Sequence, residues 1–339
     1  MTAAAAWALA QPAGAAGPLR EDGPRTVVPL GRTVGIKLFS DGVMVVGFSE
    51  VDTGEGRSAP ARDCGLREGD IITHINSEEV DTIEQVQTAL QNAAGQAMSI
   101  RASRAGKSVQ LTAQAVQCSA DGAYKLGAWI RDSMAGIGTM TFYDPASGTF
   151  GALGHGINDV DTAQLMPLES GSIMYSEVTG VKKGACGEPG ELHGAFQVER
   201  DMGALYANTP SGIFGKLSCD ELTAGLSPIP VAQRSQVRTG QAVIRSNIDG
   251  QTVEEYTVEI LHVYPAGGDG RDLMLQVTDP RLLQATGGIV QGMSGSPILQ
   301  DGRMVGAVTH VLVNDPTKGY GILLEHMLET AQESGQPQA

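Results

Sequence analysis

From Val27 onward the chain alternates short apolar runs with glycine-rich polar breaks. Val34-Gly35-Ile36-Lys37-Leu38 and Val43-Met44-Val45-Val46 are β-rich runs split by Ser40-Asp41-Gly42, a turn sequence. A looser loop through Thr53 to Gly56 follows. The stretch from Ala61 to Ile72 then predicts one helical turn that stops at Gly65, followed by a strand from Asp70 through Ile75. Asp81-Thr82-Ile83-Glu84 has the form of a capping box and opens a helix with Ile83, Val86 and Leu90 on one face. Strands around Ile100 and from Val109 to Leu111 complete this first unit.

Beyond Cys118 the pattern becomes strand-like and glycine-punctuated almost to the end. Thr139–Tyr143 and Phe150–Leu153 flank Asp144-Pro145-Ala146-Ser147-Gly148, a turn by its chemistry. Leu273–Val277 is a further strand, leaving through Thr278-Asp279-Pro280. Ile298-Leu299, the Asp301-Gly302 turn and Met304–Val308 make a hairpin. The periodicity therefore predicts a mainly β chain.

Composition refines this picture. A length of 339 residues suits about two domains, and 45 glycines with 41% hydrophobic residues suit turn-rich β cores. The net charge of −15, with no Lys/Arg cluster, argues against a nucleic-acid partner, which needs concentrated positive charge. Cys64, Cys118, Cys186 and Cys219 are scattered, and no His or Cys stands at metal spacing. They read as two disulfides in an oxidising compartment or, the favoured reading in so long a chain, as small buried hydrophobes, with neither a metal nor a cofactor called for. Ala3–Ala10 is apolar, contains Trp7, and ends in Ala8-Leu9-Ala10, which has the form of a signal-peptidase site. Residues 1–26 are accordingly expected to be a signal or anchor remnant with a flexible linker.

The candidate chemistry centres on Gly292-Met293-Ser294-Gly295-Ser296-Pro297. Gly292 can adopt backbone angles closed to other residues, turning its N–H and that of Ser294 toward one point. Two converging amides beside a hydroxyl would form an oxyanion hole. The competing reading is a hairpin whose serine caps a turn. His155, held between Gly154 and Gly156 at a strand end, is sterically open and suits a general base, with His193 as its competitor. Asp279 is a candidate for the carboxylate that orients the imidazole. It is equally a helix N-cap, because Pro280 follows it. Asp159, Asp161 and Asp201 are further candidates for that role.

Two resemblances add to this reading. The pattern A-x-x-x-G-L-x-x-G-D-I-I-x-x-I-N, from Ala61 to Asn76, resembles the signature of PDZ domains. That likeness implies a peptide groove in which Val34-Gly35-Ile36 is the carboxylate-binding loop, Ile36 and Leu38 line the strand side and Val86 the helix side. The runs F-G-A-L-G-H-G-I, V-T-D-P-R-L-L, G-G-I-V-Q-G-M-S-G-S-P-I and V-G-A-V-T-H-V occur in that order. Together they resemble the stage IV sporulation protein B family, PDZ-containing serine peptidases of endospore-forming bacteria.

The resemblance implies a PDZ domain over 27–118 and a chymotrypsin-like double β-barrel peptidase over 119–335. His155, Asp279 and Ser294 would be its catalytic residues, although fifteen residues is a short spacing between acid and serine for such enzymes. It further implies export to the space between the two forespore membranes. The expected substrate is a membrane-associated regulator of an intramembrane protease complex that controls sigma-factor processing, and the chain is expected to cut itself. The PDZ domain would dock a peptide ligand. Two rivals remain: a PDZ adaptor carrying an inactive protease fold, and an envelope protease of the type that places its PDZ domain after the peptidase.

Overall fold

The computed structural model describes residues 24–264 and 270–335. The expected signal or anchor segment lies outside the described residues, apart from its last three. The cores of two barrels and of a small N-terminal unit organise the described residues, and two long strands join the small unit to the first barrel. Strand β1 is Thr26–Pro29 and β2 is Thr33–Phe48. The first small unit contains β3 (Ile71–Ile75), helix α1 (Ile83–Ala93), β4 (Ala97–Arg104) and β5 (Lys107–Gln114). The first barrel adds β6 (Ala128–Asp144), β7 (Thr149–Ala152), β8 (Ser170–Lys182), β9 (Glu191–Thr209) and β10 (Gly212–Leu217). The second is β11 (Gly240–Asp249), β12 (Thr252–Val263), β13 (Leu273–Val277), β14 (Pro297–Gln300), β15 (Arg303–Val311) and β16 (Lys318–Leu323). Helix α2 (Pro280–Thr286) follows β13, and α3 (Leu324–Ser334) closes the chain.

In the first barrel the neighbour order is β6, β7, β10, β9, β8, β2, and β2 pairs back onto β6 to close the ring. The second barrel closes in the order β11, β12, β13, β16, β15, β14. Ring closure leaves neither barrel with a free edge. The fold is mainly β: a PDZ unit followed by a chymotrypsin-like pair of barrels. Buried Val34, Ile36, Met140, Phe150 and Ile213 fill the first barrel, and Ile244, Val258, Leu275, Ile298 and Val308 the second. Val43, Val45, Ile72, Val86 and Ile100 form the separate core of the PDZ unit.

Several local expectations hold for stated reasons. Helix α1 starts with a capping box, one residue later than Asp81–Glu84: the Thr82 hydroxyl accepts from the Gln85 N–H, and the Gln85 side chain accepts from the Thr82 N–H. The β6–β7 hairpin pairs Tyr143 with Phe150 and Asp144 with Thr149. The β14–β15 hairpin turns on Asp301 and Gly302, both at positive φ, as a two-residue connection requires.

Ser40-Asp41-Gly42 is not a hairpin turn. Both flanking runs belong to β2, and both pair antiparallel with β6, Leu38 opposite Met134 and Val45 opposite Ile130. The extra residues are absorbed in a register shift opposite Arg131–Ser133. A bulge bends a strand without reversing it, and here it marks the passage from barrel to PDZ unit. The expected start of the PDZ unit at residue 27 is corrected with it. Thr26–Leu38 hydrogen-bond within the first barrel, β1 on β6 and β2 on β8.

The four cysteines are free thiols, but only Cys118 is buried, and Cys186 is exposed. No described helix is long and apolar enough to cross a membrane.

Because Met44–Phe48 pair with Ala128–Arg131, the PDZ sheet is incomplete without the start of β6. A fragment of residues 27–118 is expected to give poorly dispersed amide NMR spectra, and one of residues 40–132 dispersed spectra. Equal dispersion in both would show that β6 adds nothing to that core.

Candidate active site

The two barrels meet at a cleft of about 480 Å³. The first barrel presents His155 from the turn after β7, and the second presents Ser294 from the loop before β14. The histidine turn is tightly built. Leu153 and Gly154 both have positive φ, 68° and 71°. For leucine this is a strained conformation worth about 1–3 kcal/mol, held only by surrounding structure. At Gly154 a side chain is also excluded by space: a Cβ would lie 2.9 Å from the Thr309 methyl and 3.0 Å from the Ile322 γ-methyl. The absence of a side chain therefore lets the histidine turn press onto β15 and β16 of the opposite barrel.

His155 Nδ1 lies 2.8 Å from the Gly156 carbonyl oxygen. A carbonyl can only accept, so this bond requires the proton on Nδ1 and leaves the lone pair on Nε2. Burial pushes the imidazole below its ordinary pKa, and the Gly156 carbonyl opposes that shift. His155 is thus held neutral, in one tautomer, with a basic nitrogen available. The His310 ring stands beside it, centroids 5.2 Å apart and planes tilted by 36°. His310 also lines the cleft, although its sequence run reads simply as a strand.

The Ser294 hydroxyl donates to the Thr309 carbonyl at 2.7 Å, and no hydrogen bond joins it to His155. Gly292 sits at φ 96°, open to glycine and strained for other residues. Among the described residues neither the Gly292 nor the Ser294 N–H donates to an acceptor. Their neighbours are all engaged: Met293 N–H on Val290 O at 3.1 Å, Gly295 N–H on Val308 O at 2.7 Å, and Ser296 N–H on Met293 O at 3.0 Å. The serine loop thus leaves unpaired the two amides that an oxyanion would need.

Asp279 is not brought to His155. It is the N-cap of α2, and its carboxylate accepts from the Arg281 N–H, the Arg281 guanidinium and the Thr257 N–H. The Arg281 hydrogen bonds hold it well below the usual carboxylate range, at about 2. Of the two readings open in the sequence, the structure supports the cap. The alternatives lie elsewhere too. Asp159 and Asp161 pair with Arg131, and Asp201 accepts from the Ser172 hydroxyl. His193 is exposed on β9. Among the described residues no carboxylate hydrogen-bonds His155.

The expected peptide groove is also relocated. Val34, Gly35, Ile36 and Leu38 are interior positions of β2, flanked by β6 and β8, and Ile36 lines the peptidase cleft instead. No carboxylate loop can form there, because their backbone groups are already in two ladders. Val86 and Leu90 of α1 do line a groove, of about 690 Å³, and its other wall is Leu126–Ile130. Ala128–Arg131 pair with β2 on one edge, and among the described strands none covers the other. The signal was present: Leu126-Gly127-Ala128 repeats the apolar-Gly-apolar form of Val34-Gly35-Ile36, after the helix rather than before it.

The carboxyl of Asp279 contributes stability that is complete above its ordinary pKa and is lost as pH falls through about 2. Asp279→Ala should lower stability by about 0.5–2 kcal/mol through loss of the cap. Turnover per folded molecule should persist, whereas removal of a triad acid costs roughly 10⁴ in kcat. Denaturation midpoints and turnover normalised to folded protein distinguish these results.

Two family models agree with this architecture. The PDZ domain family model matches residues 52–104, within the small N-terminal unit. Among solved structures, the PDZ domain of an SdrC-like protein from Listeria monocytogenes is 22% identical, at TM-score 0.22, over 26% of this chain and 87% of its own. The Rv3671c protease of M. tuberculosis in its active form is 13% identical, at TM-score 0.37, over 60% of this chain and 76% of its own. A thermostable serine protease, AL20, from an extremophilic microorganism is 13% identical, at TM-score 0.35, over 60% and 92%. Among curated proteins none matches the chain. The SpoIVB peptidase S55 family model matches residues 122–328, which hold His155, Ser294 and every barrel strand except β2, and the chain belongs to this family of serine peptidases.

Proposed function

We propose that this serine peptidase is an endopeptidase of spore formation, with Ser294 as nucleophile and His155 as general base. The observation that carries the assignment is the cleft itself. Ser294 and the neutral His155 arrive there from different barrels, beside two amides without acceptors. Rotation about the Ser294 side chain releases its hydroxyl from Thr309 O and turns it toward Nε2 of His155. Oγ then attacks a substrate carbonyl as Nε2 takes its proton. The resulting oxyanion accepts from the Gly292 and Ser294 amides, and His155 returns the proton to the departing amine. Water hydrolyses the acyl-enzyme by the same steps.

The cleft walls include Ile36, Ile137, Leu153, Val290 and Val311, and among the described residues no charged side chain lines them. Such a surface favours an uncharged, extended substrate segment. A second peptide adds to the free edge of Ala128–Arg131 across from α1, in the manner of β-augmentation. The proposal extends, by resemblance to the stage IV sporulation protein B family, to a membrane-associated regulator of an intramembrane protease complex as the substrate, to self-cleavage, and to action in the forespore intermembrane space. The adaptor reading draws on the resting Ser294–Thr309 hydrogen bond, which leaves the serine disengaged from its base.

Incubation with a fluorophosphonate and mass mapping of the labelled peptide decide between the two readings. Label on Ser294, absent in Ser294→Ala and strongly reduced in His155→Ala, is expected. Folded protein that takes no label, with or without a peptide in the groove, would establish the adaptor.

A further inference from the structure

We propose that Thr139 of the first barrel is a positioning residue for the oxyanion loop of the second, a role that rests on the assignment of Ser294 above. Thr139 is fully buried on β6, opposite Thr33 of β2. Its hydroxyl donates to the Gly292 carbonyl at 2.7 Å, and its N–H donates to the Ser294 carbonyl at 3.0 Å. Its own carbonyl accepts from the Leu153 N–H at 3.2 Å, at the start of the histidine turn. The same carbonyl packs against Gly295, where a Cβ would lie 2.0 Å from it. One residue therefore touches the loops that carry both Ser294 and His155.

The peptide planes show what this contact does. The Gln291–Gly292 plane carries the Gly292 N–H, and its carbonyl accepts from the Leu192 N–H at 2.9 Å. The Gly292–Met293 plane is held at both ends, its carbonyl by the Thr139 hydroxyl and its N–H by Val290 O. The Ser294–Gly295 plane is likewise held, by the Thr139 N–H and Val308 O. The Met293–Ser294 plane, which carries the second oxyanion donor, lies between these two fixed planes. An oxyanion hole works because its donors need no reorganisation as charge develops. The Thr139 hydroxyl is the only side-chain donor in this clamp. Without it the Gly292 carbonyl is left with an unmet hydrogen bond, which a rotation of the Gly292–Met293 peptide would relieve. That rotation would disturb the alignment of both amides.

The test uses the full chain with p-nitrophenyl butyrate as substrate and phenylboronic acid as a tetrahedral mimic. Thr139→Val removes the hydroxyl at nearly constant shape. The pair Thr139→Ala and Thr139→Ser differs in the hydroxyl alone, and keeps the question answerable should the valine variant not fold. The hydroxyl-free variants should lose roughly 10–100-fold in kcat with little change in KM, as expected for misplaced transition-state donors. Boronate affinity should fall in parallel, and Thr139→Ser should recover most of both. A kcat that follows only the folded fraction, or a serine variant no better than alanine, would overturn the proposal. A wild type that neither hydrolyses the ester nor takes a fluorophosphonate on Ser294 would sink the nucleophile assignment, and this inference with it.

Discussion

The antiparallel ladder between Thr33–Phe48 and Ala128–Asp144 is the constraint on which the remaining architecture depends. At one end it supplies the sheet of the PDZ unit, with Val45 opposite Ile130. In the middle Met134–Ile137 line the cleft that holds His155 and Ser294, and further along Thr139 grips the serine loop. Backbone hydrogen bonding fixes these positions relative to one another. The small N-terminal unit is therefore built on the peptidase, not tethered to it. Side chains can change along such a ladder with modest effect, but a one-residue slip would move every inward group to the wrong face.

Among the described residues the cleft is lined by apolar and neutral polar groups, and His155 is oriented by a backbone carbonyl. A carbonyl dipole fixes the tautomer as a carboxylate would, but it stabilises imidazolium less. Burial adds to this by disfavouring the charged ring. The carboxylates near the site in sequence have structural work of their own. Asp279 caps a helix, and Asp159 ties the loop after His155 to Arg131 of the long strand.

Much of this was legible in the sequence, for identifiable reasons. Helix α1 and the hairpins at 144–148 and 301–302 follow from capping and turn chemistry, which act over a few residues. The pairing of Gly292 with Ser294 was legible because a single loop holds both amides. What sequence could not give was set by long-range pairing. Ser40-Asp41-Gly42 has turn chemistry, yet both of its flanks found the same partner strand 90 or so residues away, and tertiary pairing overrode the local preference. Val34-Gly35-Ile36 has the form of a carboxylate loop, but the barrel uses its backbone. Asp279 offered two local readings, and only the position of Arg281 and Thr257 separates them. His310 and Thr139 sit within ordinary strand sequence, and their place at the cleft comes from how the two barrels meet.

The central claim is that Ser294 is activated by a neutral His155 that needs no carboxylate from Asp279. It is tested most directly by the pH dependence of the rate at which a fluorophosphonate modifies Ser294. The account predicts a single acid limb whose midpoint lies below the ordinary imidazole value of ~6.5. That limb should disappear in His155→Ala and persist in Asp279→Asn. An acid limb that survives in His155→Ala, one whose midpoint lies above that value, or one removed by Asp279→Asn in folded protein, would contradict it.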